Sequence, residues 1–255
     1  MKKLNTNKEK VKKASKKATK TKKEIKDDVS EMVLKQIDEI VEKKPIDKVV
    51  MGIIIPYYYN STECETAFKR LMSELDKQLT NDMILYVYED GQTSDWLKEY
   101  AKDNVIIKSS KRNKGVSYAR NQGIDYLIDK VKYILFIDSD DIVENNYLPK
   151  MCEYCADNTH EIIESTFLIN GQQATFDRNV VRSGVAGSAL QTRIIGDIRF
   201  EENLQIGEDT NFMHNVVDLS KQRKKHAPTQ YIYQLGLNNE SLTKKFERKE
   251  IGRER

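Results

Sequence analysis

The hydrophobic pattern changes period along this chain, and the changes divide it into elements. Residues 49–55 are apolar except at Gly52, the pattern of a strand covered on both faces. Residues 62–79 predict a helix, 83–88 a second strand, 94–101 a short helix and 104–108 a third strand. Residues 116–128 predict a helix with Val116, Ala119, Gly123 and Leu127 along one face. A fourth strand, 132–137, runs straight into acids. Strand and helix alternating in this way predict an α/β fold, with a mostly parallel central sheet flanked by helices. Beyond residue 141 the rhythm alters. A helix is expected at 149–155, and strands at 162–169 and 174–181 paired across Asn170-Gly171. A further helix (212–219) and a last strand (229–235) complete the pattern, and no internal repeat is visible.

The segment before residue 48 follows other rules. Residues 1–26 hold twelve Lys and two acids, a local charge of +10 in a chain whose total is +3, so the remainder is acidic by about 7. So little apolar surface cannot offset ordering entropy, and a flexible basic extension is expected. Within 27–47, Val33, Ile37, Ile40 and Val41 fall at helical spacing behind an acidic cap at Asp28-x-x-Glu31, and Pro45 stops that helix. The main domain is expected at 48–240, followed by a charged, mobile 241–255. No run of about 20 apolar residues suggests a membrane span, and three cysteines do not make a disulfide framework. A soluble, cytoplasmic protein is expected.

Candidate chemistry gathers where strands end. In open α/β sheets ligands sit at the carboxyl ends of the strands. Two predicted strands end there in acids: Glu89-Asp90-Gly91, and Asp138-Ser139-Asp140-Asp141. Four or five carboxylates at one edge repel unless a cation joins them. Hard oxygen ligands favour Mn²⁺ or Mg²⁺, bridging carboxylate and phosphate oxygens, with Asp138 and Asp140 as the metal ligands. Ser139 between the acids would keep both carboxylates on one face of an extended segment. As single residues, these acids could instead be turn or helix-cap residues, Asp90 above all.

Five segments then occur in order: Ile53-Ile-Ile-Pro-Tyr-Tyr-Tyr-Asn60; Glu89-Asp-Gly91; Asn113-x-Gly-x-Ser-x-Ala-Arg-Asn-x-Gly123; Phe136-Ile-Asp-Ser-Asp-Asp141; and Phe200-Glu-Glu-Asn-Leu-Gln-Ile-Gly-Glu-Asp209-x-x-Phe212. Together they resemble the family 2 glycosyltransferases, enzymes of the GT-A fold that use a nucleotide-diphospho-sugar, over about residues 49–240. The resemblance implies a donor site lined by Pro56, Tyr57, Asp90, Asn113, Arg120 and Asp138. Asp90 would accept a hydrogen bond from a uracil-like ring. Asp209 would be the catalytic base and Glu208 its companion in catalysis, orienting Asp209 or the acceptor. The implied reaction is metal-dependent, inverting transfer to an acceptor hydroxyl, with a UDP-sugar as donor. Arg120 could instead be a salt-bridged helix residue, and Glu208 with Asp209 could simply favour a helix N-terminus.

Two departures stand out. An extra Tyr in Tyr57-Tyr58-Tyr59 leaves open which ring faces the base, and Asp95 falls one place later than the family pattern has it. Lys244, Lys245 and Arg248 could form a cationic flap or a solvated terminus, and His226 a further ligand or a plain surface residue. Cys152-x-x-Cys155 has no second pair and reads as packing. Asp138-Ser-Asp140 is also compatible with a haloacid-dehalogenase-like phosphatase, although three β-α units precede it. The Lys-rich tail could contact a polyanion, with an inactive domain behind it as an alternative reading, or act only as a solvated tail.

Overall fold

The computed structural model describes residues 49–169, 171–173, 184–204, 206–217 and 223–234. The expectations for 1–26, 27–47, 174–181 and 241–255, with Lys244, Lys245 and Arg248, lie outside the described residues.

Four parallel strands form one half of a nine-stranded sheet: β1 (Val49–Tyr57), β2 (Met83–Asp90), β3 (Val105–Ser110) and β4 (Val131–Phe136), in the order β3-β2-β1-β4. Helices α1 (Thr62–Gln78), α2 (Asp95–Lys98) and α3 (Val116–Leu127) connect them. Met51, Ile53, Ile54 and Ile55 are fully buried, as expected of a strand covered on both faces. Ser61 caps α1 by accepting the Cys64 N–H (3.3 Å), with Glu63 and Glu65 in the first turn and Lys77 in the last, matching the helix dipole. The α2 segment makes one turn rather than the eight residues expected.

Helix α3 lies unusually close to β1. A Cβ on Gly123 would stand 2.8 Å from the Ile54 side chain, so the last glycine of the third segment is a packing requirement. Ala119, Gly123 and Leu127 lie on the buried face, as their spacing predicts; Val116 is half-buried. The same face also carries Ser117, Arg120 and Asn121, polar residues that no apolar periodicity identifies.

Past β4 the sheet becomes mixed. Beyond β5 (Ile142–Val143) and α4 (Tyr147–Ala156) come β6 (Ile162–Ile169), β7 (Gln172–Gln173), β8 (Ser188–Gln191), α5 (Thr192–Ile195), α6 (Glu208–Val216) and β9 (Lys224–Tyr233). The sheet continues from β4 through β8, β6 and β9 to β5. Only the β6–β9 pairing in this half is parallel. After Gly171 (φ +82°), β7 pairs antiparallel with the end of β6, two residues before the strand expected at 174–181. Strand β8 was not expected. Its four residues are all buried and carry no alternation to read. The last strand begins five residues earlier than expected and passes Pro228 through a register shift opposite Ser165 and Thr166. No helix among the described residues is long and apolar enough to cross a membrane.

Candidate active site

Because β1, β2 and β4 are parallel, their carboxyl ends share one rim. The chain moves outward from β1 to β2 and β3, then crosses to β4, so a crevice opens between the ends of β1 and β4. Pro56 and Tyr57 end β1, Asp90 ends β2, and Asp138 follows β4.

Tyr57 does not face this crevice. It continues the Ile53, Ile55 side of β1, is 1% exposed and stacks on Phe68 of α1, with ring centroids 4.1 Å apart. Strand alternation sends it into the core. The exposed rings are Tyr58 and Tyr59, at 49% and 37%. Tyr58 lies against Gly91, where a Cβ would be 3.0 Å from its ring, and Gly91 also has φ +95°. Pro56 is half-buried.

Asp90 is buried and holds the loop that starts α3. Its carboxylate accepts the main-chain N–H groups of Lys114 (2.9 and 3.0 Å) and Gly115 (2.7 Å). Asn113 accepts a second contact from Gly115 N–H (2.9 Å), and Gly115 takes φ +95° as the cap of α3. Glu89 turns away to accept from the Ser94 main chain (2.9 Å) and hydroxyl, while Asp95 pairs with Lys98 at the surface, outside the rim.

The centre of the site is Arg120. Its guanidinium, 3% exposed, donates from Nη2 to Asp138 (2.9 Å) and from Nη1 to Asp209 (2.5 Å) and Glu208 (3.1 Å). Three sequence-predicted acids are thus gathered by one cation, with Phe200 beneath it at 5.2 Å from its ring centre. Burial opposes the guanidinium's charge. Asp209, Asp138 and Glu208 outweigh it and hold the pKa above the usual arginine value. Asn121, beside it, clips the Phe200 backbone in both directions (2.8 and 2.9 Å) and donates to Glu202 (3.0 Å). Phe200 stacks on Phe212 at 3.9 Å, which sets α6 against the sheet. Gly207, at φ +84°, starts that helix four residues earlier than expected, placing Glu208 and Asp209 in its first turn. Burial raises the Asp209 pKa to about 7; Arg120 opposes the rise, and Glu208 and Asp138 add to it.

The segment Asp138–Asp141 is a turn rather than extended, with Asp141 N–H reaching Asp138 O at 3.3 Å. Asp140 is half-buried, and burial followed by the neighbouring Asp138 charge raises its pKa to about 6. Asp141 is fully buried and faces the other way. Its Oδ2 accepts from the Tyr231 hydroxyl (2.5 Å) and its Oδ1 from Gln234 N–H (2.9 Å), while the Tyr231 oxygen accepts Asp138 N–H (2.9 Å). Burial, before the charges of Asp138 and Asp140, pushes the Asp141 pKa well up. Tyr231 had no mark in the sequence, because its partners are about 90 residues away. Replacing Tyr231 with Phe leaves a buried carboxylate and an N–H short of a partner, and should cost about 1–3 kcal/mol in denaturant melts. Unchanged stability would show the hydroxyl to be dispensable.

His226 lies beside Thr166 on β6 (3.1 Å), and Cys152 and Cys155 are buried free thiols. No group of three or more His, Cys, Asp or Glu side chains suited to a metal ion occurs among the described residues.

Several known proteins are similar to this chain. The poly(ribitol-phosphate) β-N-acetylglucosaminyltransferase TarP of Staphylococcus aureus (strain N315) is 23% identical over 143 residues, covering 54% of this chain and 43% of that protein. The minor teichoic acid biosynthesis protein GgaB of Bacillus subtilis (strain 168) is 23% identical over 207 residues, covering 72% of this chain and 23% of that protein. The chain therefore spans less than half the length of either relative. The fold is that of the GT-A glycosyltransferases. It superposes on S. aureus TarS 1-349, solved with UDP-GlcNAc, with a TM-score of 0.62 at 19% identity, over 76% of this chain and 60% of that one. The model of Glycosyl transferase family 2 matches residues 52–218, which carry Asp90, Arg120, Asp138 and Asp209, and the chain belongs to that family of glycosyltransferases.

Proposed function

We propose that this chain moves a sugar from a UDP-sugar to a hydroxyl of a polyol-phosphate polymer, with inversion at the anomeric carbon. The observation that carries this reading is Arg120, whose one guanidinium draws the carboxylate after β4 and the two in the first turn of α6 into a common site. Membership of the family favours this reading over the phosphatase alternative. The UDP-GlcNAc in the TarS crystal supports the donor, and the polymer in TarP's name supports the acceptor.

Asp209 takes the proton of the attacking hydroxyl. It acts from the first turn of α6, and a single displacement inverts the anomeric centre. Arg120 holds Asp209 and Glu208 in place against Asp138. Pro56, Tyr58 and Asn113 border the donor's base. Asp90 secures the loop beside it, and the free lone pair of its Oδ1 could accept from the base edge.

The acids fit a divalent ion. Asp138 and Asp140 offer all-oxygen ligands one residue apart, and burial together with the Asp138 charge raises the Asp140 pKa. Two protein carboxylates are sufficient for Mn²⁺ or Mg²⁺ when substrate phosphates complete the shell. Such an ion, when bound, neutralises charge on the departing diphosphate.

A thermal-shift screen of UDP-sugars with and without Mn²⁺ tests the donor and the ion together. UDP and Mn²⁺ should stabilise the chain jointly, and Asp140→Ala should abolish the metal-dependent part. Full Mn²⁺-dependent stabilisation of that variant would rule out Asp140 as a ligand.

A further inference from the structure

We infer that the loop stretch from Lys108 to Lys114, the last three residues of β3 with the connection to α3, is a docking surface for the phosphate groups of a polymeric acceptor, apart from the subsite for the donor's diphosphate; this rests on the acceptor proposed above. The loop is a cationic exception in an acidic domain. Its seven residues include Lys108, Lys111, Arg112 and Lys114 and no acid, and all four are exposed. Elsewhere cations are mostly neutralised. Of the eighteen lysines and arginines among the described residues, eleven lie within 4.0 Å of a carboxylate, and four of the other seven are in this loop.

The backbone that carries these charges is held along its length. Gly91 N–H donates to Ser110 O (2.7 Å), the Ser110 hydroxyl donates to Arg112 O (2.9 Å), and Asp90 takes the amides of Lys114 and Gly115. Lys114 also rests on Tyr118, with its Nζ 3.0 Å from the hydroxyl. A fixed main chain with outward cations suits repeated phosphates, because little ordering remains to be done on binding. Arg112 can engage a phosphate bidentately, while the lysines act as point charges.

Position separates this surface from the donor's diphosphate. The loop follows β3, three strand spacings or about 14 Å from β4, where Asp138 and Asp140 stand. A diphosphate held by those acids does not extend to Lys108 or Lys111. A chain of phosphodiesters can, while presenting a hydroxyl at Asp209.

The test uses the full chain, so the Lys-rich N-terminal segment is common to both proteins compared. Lys111→Gln/Arg112→Gln is assayed with UDP-sugar and poly(ribitol phosphate), with single-stranded RNA of matched charge as competitor. The polymer KM should rise about fivefold for each cation removed, about 25-fold in the double variant. kcat and the KM for UDP-sugar should stay unchanged, and the salt dependence of the polymer KM should become shallower. An unchanged polymer KM overturns the docking surface, and so does an equal rise in the KM for UDP-sugar, which would make the loop part of the donor subsite. RNA that competes through the loop better than the polymer binds would also overturn it. Failure of the wild-type chain to consume any UDP-sugar would instead sink the underlying function, a result visible without the variant.

Discussion

Asp209→Asn should lower kcat by about 10²- to 10⁴-fold while leaving the affinity for UDP unchanged, because it removes the proton acceptor and touches none of the residues assigned to the donor's base. The pH profile makes the same point independently. Burial raises the Asp209 pKa to about 7, so the base form populates only as pH rises through that value. Wild-type turnover should therefore climb with pH, tenfold per unit well below 7, and level off above it. The Asn variant should lack this limb, whereas Glu208→Gln should keep it with a smaller loss. A variant that retained kcat within about threefold, or a wild-type rate flat from pH 5 to 8, would remove Asp209 from the chemistry.

The second large effect is on stability. Arg120→Met should destabilise the fold by about 3–5 kcal/mol, because it strands three carboxylates that share one buried cation. In a domain of this size that corresponds to roughly 6–20 °C in melting temperature. The pH dependence separates charge from packing. Without the guanidinium the Asp209 pKa rises further, so its ionisation costs stability as pH rises through the folded-state value. The deficit should be widest near pH 8 and shrink toward pH 5, where Asp209 protonates. A deficit that stays constant with pH would mean that Arg120 matters for its packing on Phe200 alone. Arg120→Lys should recover only part of the loss, since a single ammonium cannot present two nitrogens to three carboxylates.

These two residues also show what can be read along a chain. The parallel half of the sheet was legible because each element there is set by its own local pattern: continuous apolar strands, helical spacing and acids at strand ends. The burial of Tyr57 was legible too, since it shares a side of β1 with Ile53 and Ile55. The expectation that it lined the base pocket followed the resemblance rather than the alternation. The mixed half was harder. Strand β8 is short and buried throughout, and its partners β4 and β6 come from different parts of the chain, so no local period marks it.

The sequence alone determined the order of five motifs, the β-α rhythm, and the acids at the ends of two strands, all of which are properties of neighbouring residues. Only the tertiary structure decided which charges meet. Arg120 lies 18 residues from Asp138 and 88 and 89 from Glu208 and Asp209, and Tyr231 reaches Asp138 and Asp141 across 93 and 90 positions of the same chain. Such contacts depend on how α3, α6 and β9 pack against the sheet, and packing is not a local property of sequence. Of the acids at the strand ends, Asp138 thus shares the buried Arg120 with Glu208 and Asp209, two carboxylates from a distant part of the chain.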